Sequence, residues 1–477
     1  MKTRPWVAPL LLAGAVLLTY LNAFRGDFQF DDFNVIVDNP AVRSWQAWLH
    51  DAPRGVRPVL KLTYTLNWTC GLGLFGFHLF NVAVHAANAV LVYFLFRRLS
   101  ERCGGAGDGI AAAAPFLAAL IFAVHPVQTE AVTYVSGRSM SLMTLFYLGS
   151  LMAYDYGAGR NRRFWLHGIS PALFLSAMLT KEAAVTLPAA LLLWEACARD
   201  GREPWGVLAR RQAPNWILLL AIGSALAVHP SYRDLLTYGF GARSLHDNLL
   251  SQINGVAYLL SRLVMVHRLN IDPELPVLTA WTPLLAAEAI LLLAMVAMGV
   301  ASLRRFPRLG FGILWFFLHL LPTNSIVPRL DIANERHLYL AACGIFLAVG
   351  AGAEKLLPAR FGEWKWVPAG ILLGAITLGY VTHARNEVYR SEVDFWEDTV
   401  RLSPAKPRVH NNLGYAYQLA GLPDKAVRSY REALRIEPGF RLAKGNLATL
   451  SGTATDRIAD PRILSIPISC FPPDHTP

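Results

Sequence analysis

Long apolar runs decide what this chain can fold into. Val7–Phe24, Phe77–Phe96, Ala111–Val124, Met140–Tyr154, Trp216–Val228, Trp281–Ala301 and Leu309–Leu321 recur through most of residues 7–383. Crossing about 30 Å of hydrocarbon takes about 20 apolar residues in a helix, and with modest extension or tilt these runs are long enough. Lipid offers the backbone no partners, so each run is expected to be helical. Of the 477 residues 54% are hydrophobic and 16% charged, whereas soluble domains carry about 25% charged residues. The expected fold is therefore an all-α, polytopic membrane helix bundle.

The net charge of +11 is distributed as in a membrane protein. Arg97, Arg98 and Arg102, then Arg160, Arg162 and Arg163, Arg199, Arg202, Arg210 and Arg211, Arg304, Arg305 and Arg308, and Lys355, Arg360 and Lys365 fall in short loops between the runs. That is the positive-inside pattern. No stacking motif accompanies the charge, which argues against nucleic acid. The five cysteines have neither CxxC spacing nor disulfide-framework density. Lys2 and Arg4 precede an apolar run without a cleavage site, which reads as an uncleaved first span. Alternating sides from there puts a large loop, 25–76, outside. Leu249–Val266, with Ser251, Gln252, Asn254, Ser261 and Arg262, reads as an interfacial or re-entrant helix. This gives about eleven spans within a membrane domain over 1–384.

Beyond Ala384 the sequence turns polar and a period emerges. Leu413, Gly414, Tyr417, Ala426, Tyr430, Ala433 and Pro438 occupy the positions of one tetratricopeptide repeat. Pro404 and Trp396 precede Pro438 and Tyr430 by one period of about 34 residues, so Glu392–Pro404 reads as the second half of an earlier repeat. Leu447 and Ala448 start another, ahead of an irregular tail over 451–477. About three repeats are usually needed for independent stability. The repeat segment, 385–450, is expected to lean on the membrane domain or on a protein partner.

Polar groups beside lipid are costly and point to function. Asp31 and Asp32 sit among aromatics just past the first run, and paired carboxylates hold one proton more tightly, as a general base requires. His78, Asn81, His85 and Asn88 recur at spacings of three and four, so they share one helix face; either interhelical bonding or a hydrated site would use them. Seven residues between His78 and His85 is a poor spacing for one metal ion. His125, Glu130 and Arg138, Lys181 with Glu182, Arg336, and Arg57 in the first loop fall on the same predicted outer side. Walker A, GxGxxG, HExxH and GxSxG motifs are missing. An enzyme here needs a donor that the membrane delivers, such as a lipid phosphate.

The run Phe30-Asp31-Asp32, Arg57-Pro58, Gly76-Phe77-His78, Asn81, His85, Phe122–Val132, Ser136-Gly137-Arg138-Ser139, Lys181-Glu182 and Glu335-Arg336 resembles the transmembrane and tetratricopeptide-repeat O-mannosyltransferases and their bacterial relatives. These belong to the GT-C superfamily. The resemblance implies an inverting transferase that takes mannose or a similar hexose from a polyprenyl phosphate on the non-cytoplasmic face, a bacterial inner membrane being the expected setting. Asp31 or Asp32 would be the general base, and the acceptor a hydroxyl, as on protein Ser or Thr. The donor and its phosphate would be held by Arg57, His78, His85, His125, Glu130, Arg138, Lys181, Glu182 and Arg336. No cofactor is implied, and a divalent metal is left open. A non-catalytic scaffold or lipid-linked glycan transporter, with repeats binding a partner, and a glycan ligase with a non-protein acceptor are the alternatives.

Overall fold

The structure is a computed structural model that describes residues 6–104, 110–198, 204–356 and 366–450. The tail 451–477 and the basic residues Lys2, Arg4, Arg199, Arg202, Arg360 and Lys365 lie outside them. Among the described residues no strand occurs. The membrane-type region comprises α1 (Val7–Thr19), α2 (Trp45–Asp51), α3 (Pro58–Thr69), α4 (Gly73–Arg102), α5 (Ile110–Val124), α6 (Thr129–Val132), α7 (Arg138–Gly159) and α8 (Ser170–Met178). It continues with α9 (Leu187–Ala198), α10 (Trp205–Val228), α11 (Pro230–Ala242), α12 (Leu245–Arg262), α13 (Pro283–Arg305), α14 (Pro307–Leu320), α15 (Leu338–Leu356) and α16 (Trp366–Asn386). The repeat segment adds α17 (Glu392–Leu402), α18 (Pro407–Leu419), α19 (Pro423–Ile436) and α20 (Arg441–Leu450).

One apolar core joins α1, α4, α5, α7, α9, α14 and α15 through residues such as Val16, Phe96, Phe122, Leu151, Trp194, Trp315 and Leu347. Small residues allow the closest crossing: a Cβ on Gly312 would lie 2.3 Å from the Gly344 carbonyl, so α14 and α15 meet backbone to backbone. The stripe on α4 is buried as its spacing requires. Asn81 donates to the Val132 carbonyl at 3.1 Å and Asn88 to that of Ser141 at 2.8 Å. The other side of several helices is apolar and open: Ile217 and Leu220 on α10, Leu284, Ile290 and Leu293 on α13, and Leu372, Leu373 and Ile376 on α16. Water penalises such a surface and lipid does not.

The span count differs from expectation. Among the described residues, α4 and α13 are able to cross a membrane by length and composition, or four spans if each bent pair, Ala114–Val124 with Pro126–Val132 and Trp205–Val228 with Tyr232–Gly241, is one. Eleven spans are not found among the described residues. Backbone breaks account for part of the difference. α1 and α14 have 13 and 14 residues, about 20 Å each; α1 gives way at Tyr20 to a 3₁₀ turn. The chain leaves the helix again at His125-Pro126 and at Lys181, and α7, though long, carries Arg138 and Asp155. α12, over the segment read as interfacial or re-entrant, is not among the crossing helices. Its polar residues are answered by protein: Gln252 donates to the Ile332 carbonyl, Asn254 to Glu288 and Tyr258 to Glu335.

The repeat positions form a helical hairpin, α18 against α19, flanked by α17 and α20. Ala426, Tyr430 and Ala433 are fully buried. A Cβ on Gly414 would stand 2.6 Å from a Tyr430 ring carbon, which is why a glycine lies there.

Candidate functional site

Five loops meet where the repeat segment sits on the bundle, and the first carries the carboxylate pair. Phe30 has a left-handed backbone, φ +41, which a bulky residue adopts only when its surroundings enforce it. The two aspartates that follow have opposite fates. Asp32 is fully buried and accepts backbone N–H bonds from Gln29 at 3.0 Å and Ser136 at 2.7 Å. Burial pushes its pKa up to about 7 against the pull of those two bonds. Asp31 keeps its side chain partly exposed, with the Arg336 guanidinium 3.9 Å away, and its N–H donates to the Tyr134 hydroxyl at 2.8 Å.

Cations and acids from the other loops surround this point. Arg336 lies 3.2 Å from buried Glu130. Arg57, itself left-handed at φ +54, forks onto Glu182 with contacts of 2.7, 3.0 and 3.1 Å. Arg329 reaches the same carboxylate at 3.8 Å. Burial would raise the Glu182 pKa, but Arg57, Arg329 and Lys181 together hold it down at about 2. Lys181 is buried and donates to Ser139 at 3.3 Å rather than to a carboxylate. Its pKa is driven well below the ordinary value by burial and then by Arg57 and Arg336. Glu182 pulls the other way, and an arriving anion would add to that pull.

Of the residues singled out in the sequence, Asp31, Glu130, Arg336, Arg57, Lys181 and Glu182 are brought together. Others bond within the bundle. Arg138 is fully buried and donates to Asn81 at 2.6 Å, to Thr63 at 3.2 Å and to the Phe77 carbonyl at 2.9 Å. His78 bonds the Gly26 carbonyl at 3.1 Å. His85 joins Tyr339 at 2.7 Å and the Ala123 carbonyl at 3.1 Å. His125 caps the turn after α5 and bonds the Leu263 carbonyl. Arg138, His85 and His125 spend their polar atoms inside the bundle, whereas the buried His78 Nδ1 has no hydrogen-bond partner.

Sequence reasoning passed over Arg329, Tyr134 and Glu335 as site residues. Glu335 stood next to Arg336 in the recognised motif; Tyr134 and Arg329 carried no such signal. Glu335 is buried, accepting from the Tyr258 hydroxyl at 2.6 Å and the Asn270 N–H at 2.9 Å. Burial raises its pKa from 4.5 to about 8, although both bonds oppose that. The folded chain thus holds a proton that the unfolded chain releases above 4.5. Stability should fall as pH rises from there through about 8. Glu335→Gln keeps the shape and removes the titration, so its melting temperature should decline less between pH 6 and pH 9 than that of the parent. Equal declines would show that Glu335 does not titrate in that range.

Comparison with known proteins bears on this arrangement. The tetratricopeptide repeat family matches residues 407–440. Protein O-mannosyl-transferase F38B6.6 of Caenorhabditis elegans is 25% identical over 464 residues, covering 90% of this chain and 63% of the relative. Protein O-mannosyl-transferase TMTC1 of Homo sapiens is 25% identical over 527 residues, 94% of this chain and 57% of that protein. TMTC4 of Mus musculus is 26% identical over 496 residues, 90% of this chain and 66% of that protein. Over nine-tenths of its length the chain is similar to proteins named as O-mannosyl-transferases. It spans about 60% of the length of these O-mannosyl-transferases. The relatives reported are animal proteins, not the bacterial ones the sequence led us to expect. No solved structure matches.

Proposed function

We propose that the chain is an inverting, GT-C-type membrane glycosyltransferase that moves mannose or a similar hexose from a polyprenyl-phosphate donor to a hydroxyl, that of protein Ser or Thr, on the non-cytoplasmic face. The observation that carries this is a partly exposed carboxylate, Asp31, with the half-buried Arg336 guanidinium beside it and buried Lys181 in the same group of cations. In the reaction the acceptor oxygen attacks the anomeric carbon and its proton passes to Asp31. The bond from that carbon to the phosphate oxygen breaks, its electron pair leaving with the polyprenyl phosphate. The charge gained by the leaving group is what Lys181, Arg57, Arg329 and Arg336 are suited to stabilise. In-line displacement inverts the anomeric centre. Sidedness draws support from α4: Asn81, in its N-terminal third, bonds the Val132 and Tyr134 carbonyls beside the site, while Arg97, Arg98 and Arg102 stand at its far end, about 40 Å from its start, as positive-inside charge requires. The polytopic arrangement needed to deliver a lipid donor draws on the exposed apolar faces of α10, α13 and α16.

Lys181 provides the test. A buried ammonium facing other cations is costly to the folded state, so Lys181→Met should melt at a higher temperature than the parent. The same variant should bind a polyprenyl-phosphate sugar about tenfold more weakly or worse, the scale of one charge-assisted contact. Unaltered donor affinity in the folded variant would remove the phosphate assignment.

A further inference from the structure

The repeat segment touches both sides of the site. On the carboxylate side, the Glu392 carboxylate on α17 accepts the Phe30 N–H at 3.0 Å, and the Trp396 ring meets the Phe30 ring edge-on at 5.0 Å. Gln29 donates to the Tyr389 carbonyl just before α17. Tyr134, whose hydroxyl holds the Asp31 N–H, packs at a tilt against the rings of Tyr389 and Phe395. Thus the strained Phe30 and the aspartate after it are clamped from the repeat segment. On the cation side, Arg408 of α18 bonds Asp272 and reaches Asp331 at 2.7 Å, on the loop that carries Arg329, Glu335 and Arg336. Ser403 accepts from Asn270 at 2.7 Å and donates to the Asp272 carbonyl at 2.8 Å.

We infer that the repeat segment is a wall of the transferase site, and that Glu392 is a positioning residue that sets where the Asp31 carboxylate lies; this rests on the reading of Asp31 as base. A segment that only recruited an acceptor would need no bonds to the backbone of the catalytic turn. A helix that fixes a left-handed aromatic one residue before the base determines the base's position. Displacement of a reacting group by about 1 Å costs on the order of 10²-fold in rate. Within the repeat segment, α17 and α18 are the parts that hold the two loops.

The experiment uses the full chain with Glu392→Ala and Glu392→Gln, reading transfer kinetics with a polyprenyl-phosphate mannose and a Ser/Thr peptide, and amide hydrogen exchange over 27–37. Glu392→Ala should lower kcat by about 10- to 100-fold, leave the donor KM unchanged, and speed exchange at Phe30. Glu392→Gln retains an acceptor oxygen and should restore both. Unchanged exchange in Glu392→Ala, or a Gln variant as impaired as the Ala variant, would overturn the inference. Faster exchange with unaltered kcat would overturn it too, provided Asp31→Asn is inactive in the same assay. If Asp31→Asn transfers normally, the base assignment falls, and the inference with it; the cause is then identified as the reading of Asp31.

Discussion

Replacing Asp31 by Asn is expected to lower turnover by about 10²–10⁴-fold, the usual contribution of a general base, with donor affinity retained. The amide keeps the shape of the carboxylate and loses its basicity. Only Asp31 of the pair has a side chain open enough to meet an acceptor hydroxyl, with Arg336 at 3.9 Å. Asp32→Asn should behave differently. Both Asp32 oxygens accept backbone N–H groups in a fully buried position, and an amide turns one acceptor into a donor. The variant should lose about 1–3 kcal/mol of stability and keep its turnover per folded molecule. Transfer rate and thermal unfolding measured on both variants separate the two roles. The reverse assignment, with Asp32→Asn folded and inactive and Asp31→Asn active, would place the base one residue later.

Arg138→Ala is expected to cost stability rather than donor binding, by about 3–5 kcal/mol. The guanidinium is fully buried and serves α3 and α4 together through Thr63, Phe77 and Asn81, while its plane lies 4.4 Å from the Phe80 ring and 5.0 Å from that of Tyr64. Truncation leaves those acceptors unanswered and a cavity between rings. Arg138→Lys should recover little, because one ammonium does not reproduce the planar fork. The yield of folded protein in detergent and its melting temperature report the effect. A stable Arg138→Ala chain that binds donor poorly would return this residue to the phosphate site.

Arg138 also shows where the sequence is readable and where it stops. Its neighbours in the motif SGRS made it look like a site cation, and nothing local reveals that its partners lie on α3 and α4. The stripe His78, Asn81, His85 and Asn88 was legible as one buried face because helical spacing fixes it, but the same spacing serves interhelical bonds and ligands alike. The hairpin α18–α19 was legible from its period, since Gly414 and Tyr430 only pack when both helices are present. The number of crossing helices was over-read: hydropathy runs pass unbroken over Tyr20, where the backbone departs from the α-helix. The distinction between Asp31 and Asp32 depends on the Ser136 N–H, over 100 residues away, and the contact between Glu392 and Phe30 on a fold that brings the two ends of the membrane-type region together.

The central claim is sugar transfer by this chain, and mass spectrometry of glycoproteins from cells that make it tests that claim most directly. Cells with the parent chain should carry hexose on Ser or Thr of particular peptides, and cells with an equal amount of folded Asp31→Asn should lack it. The same glycopeptides at equal abundance in both, or in cells without the chain, would contradict the account.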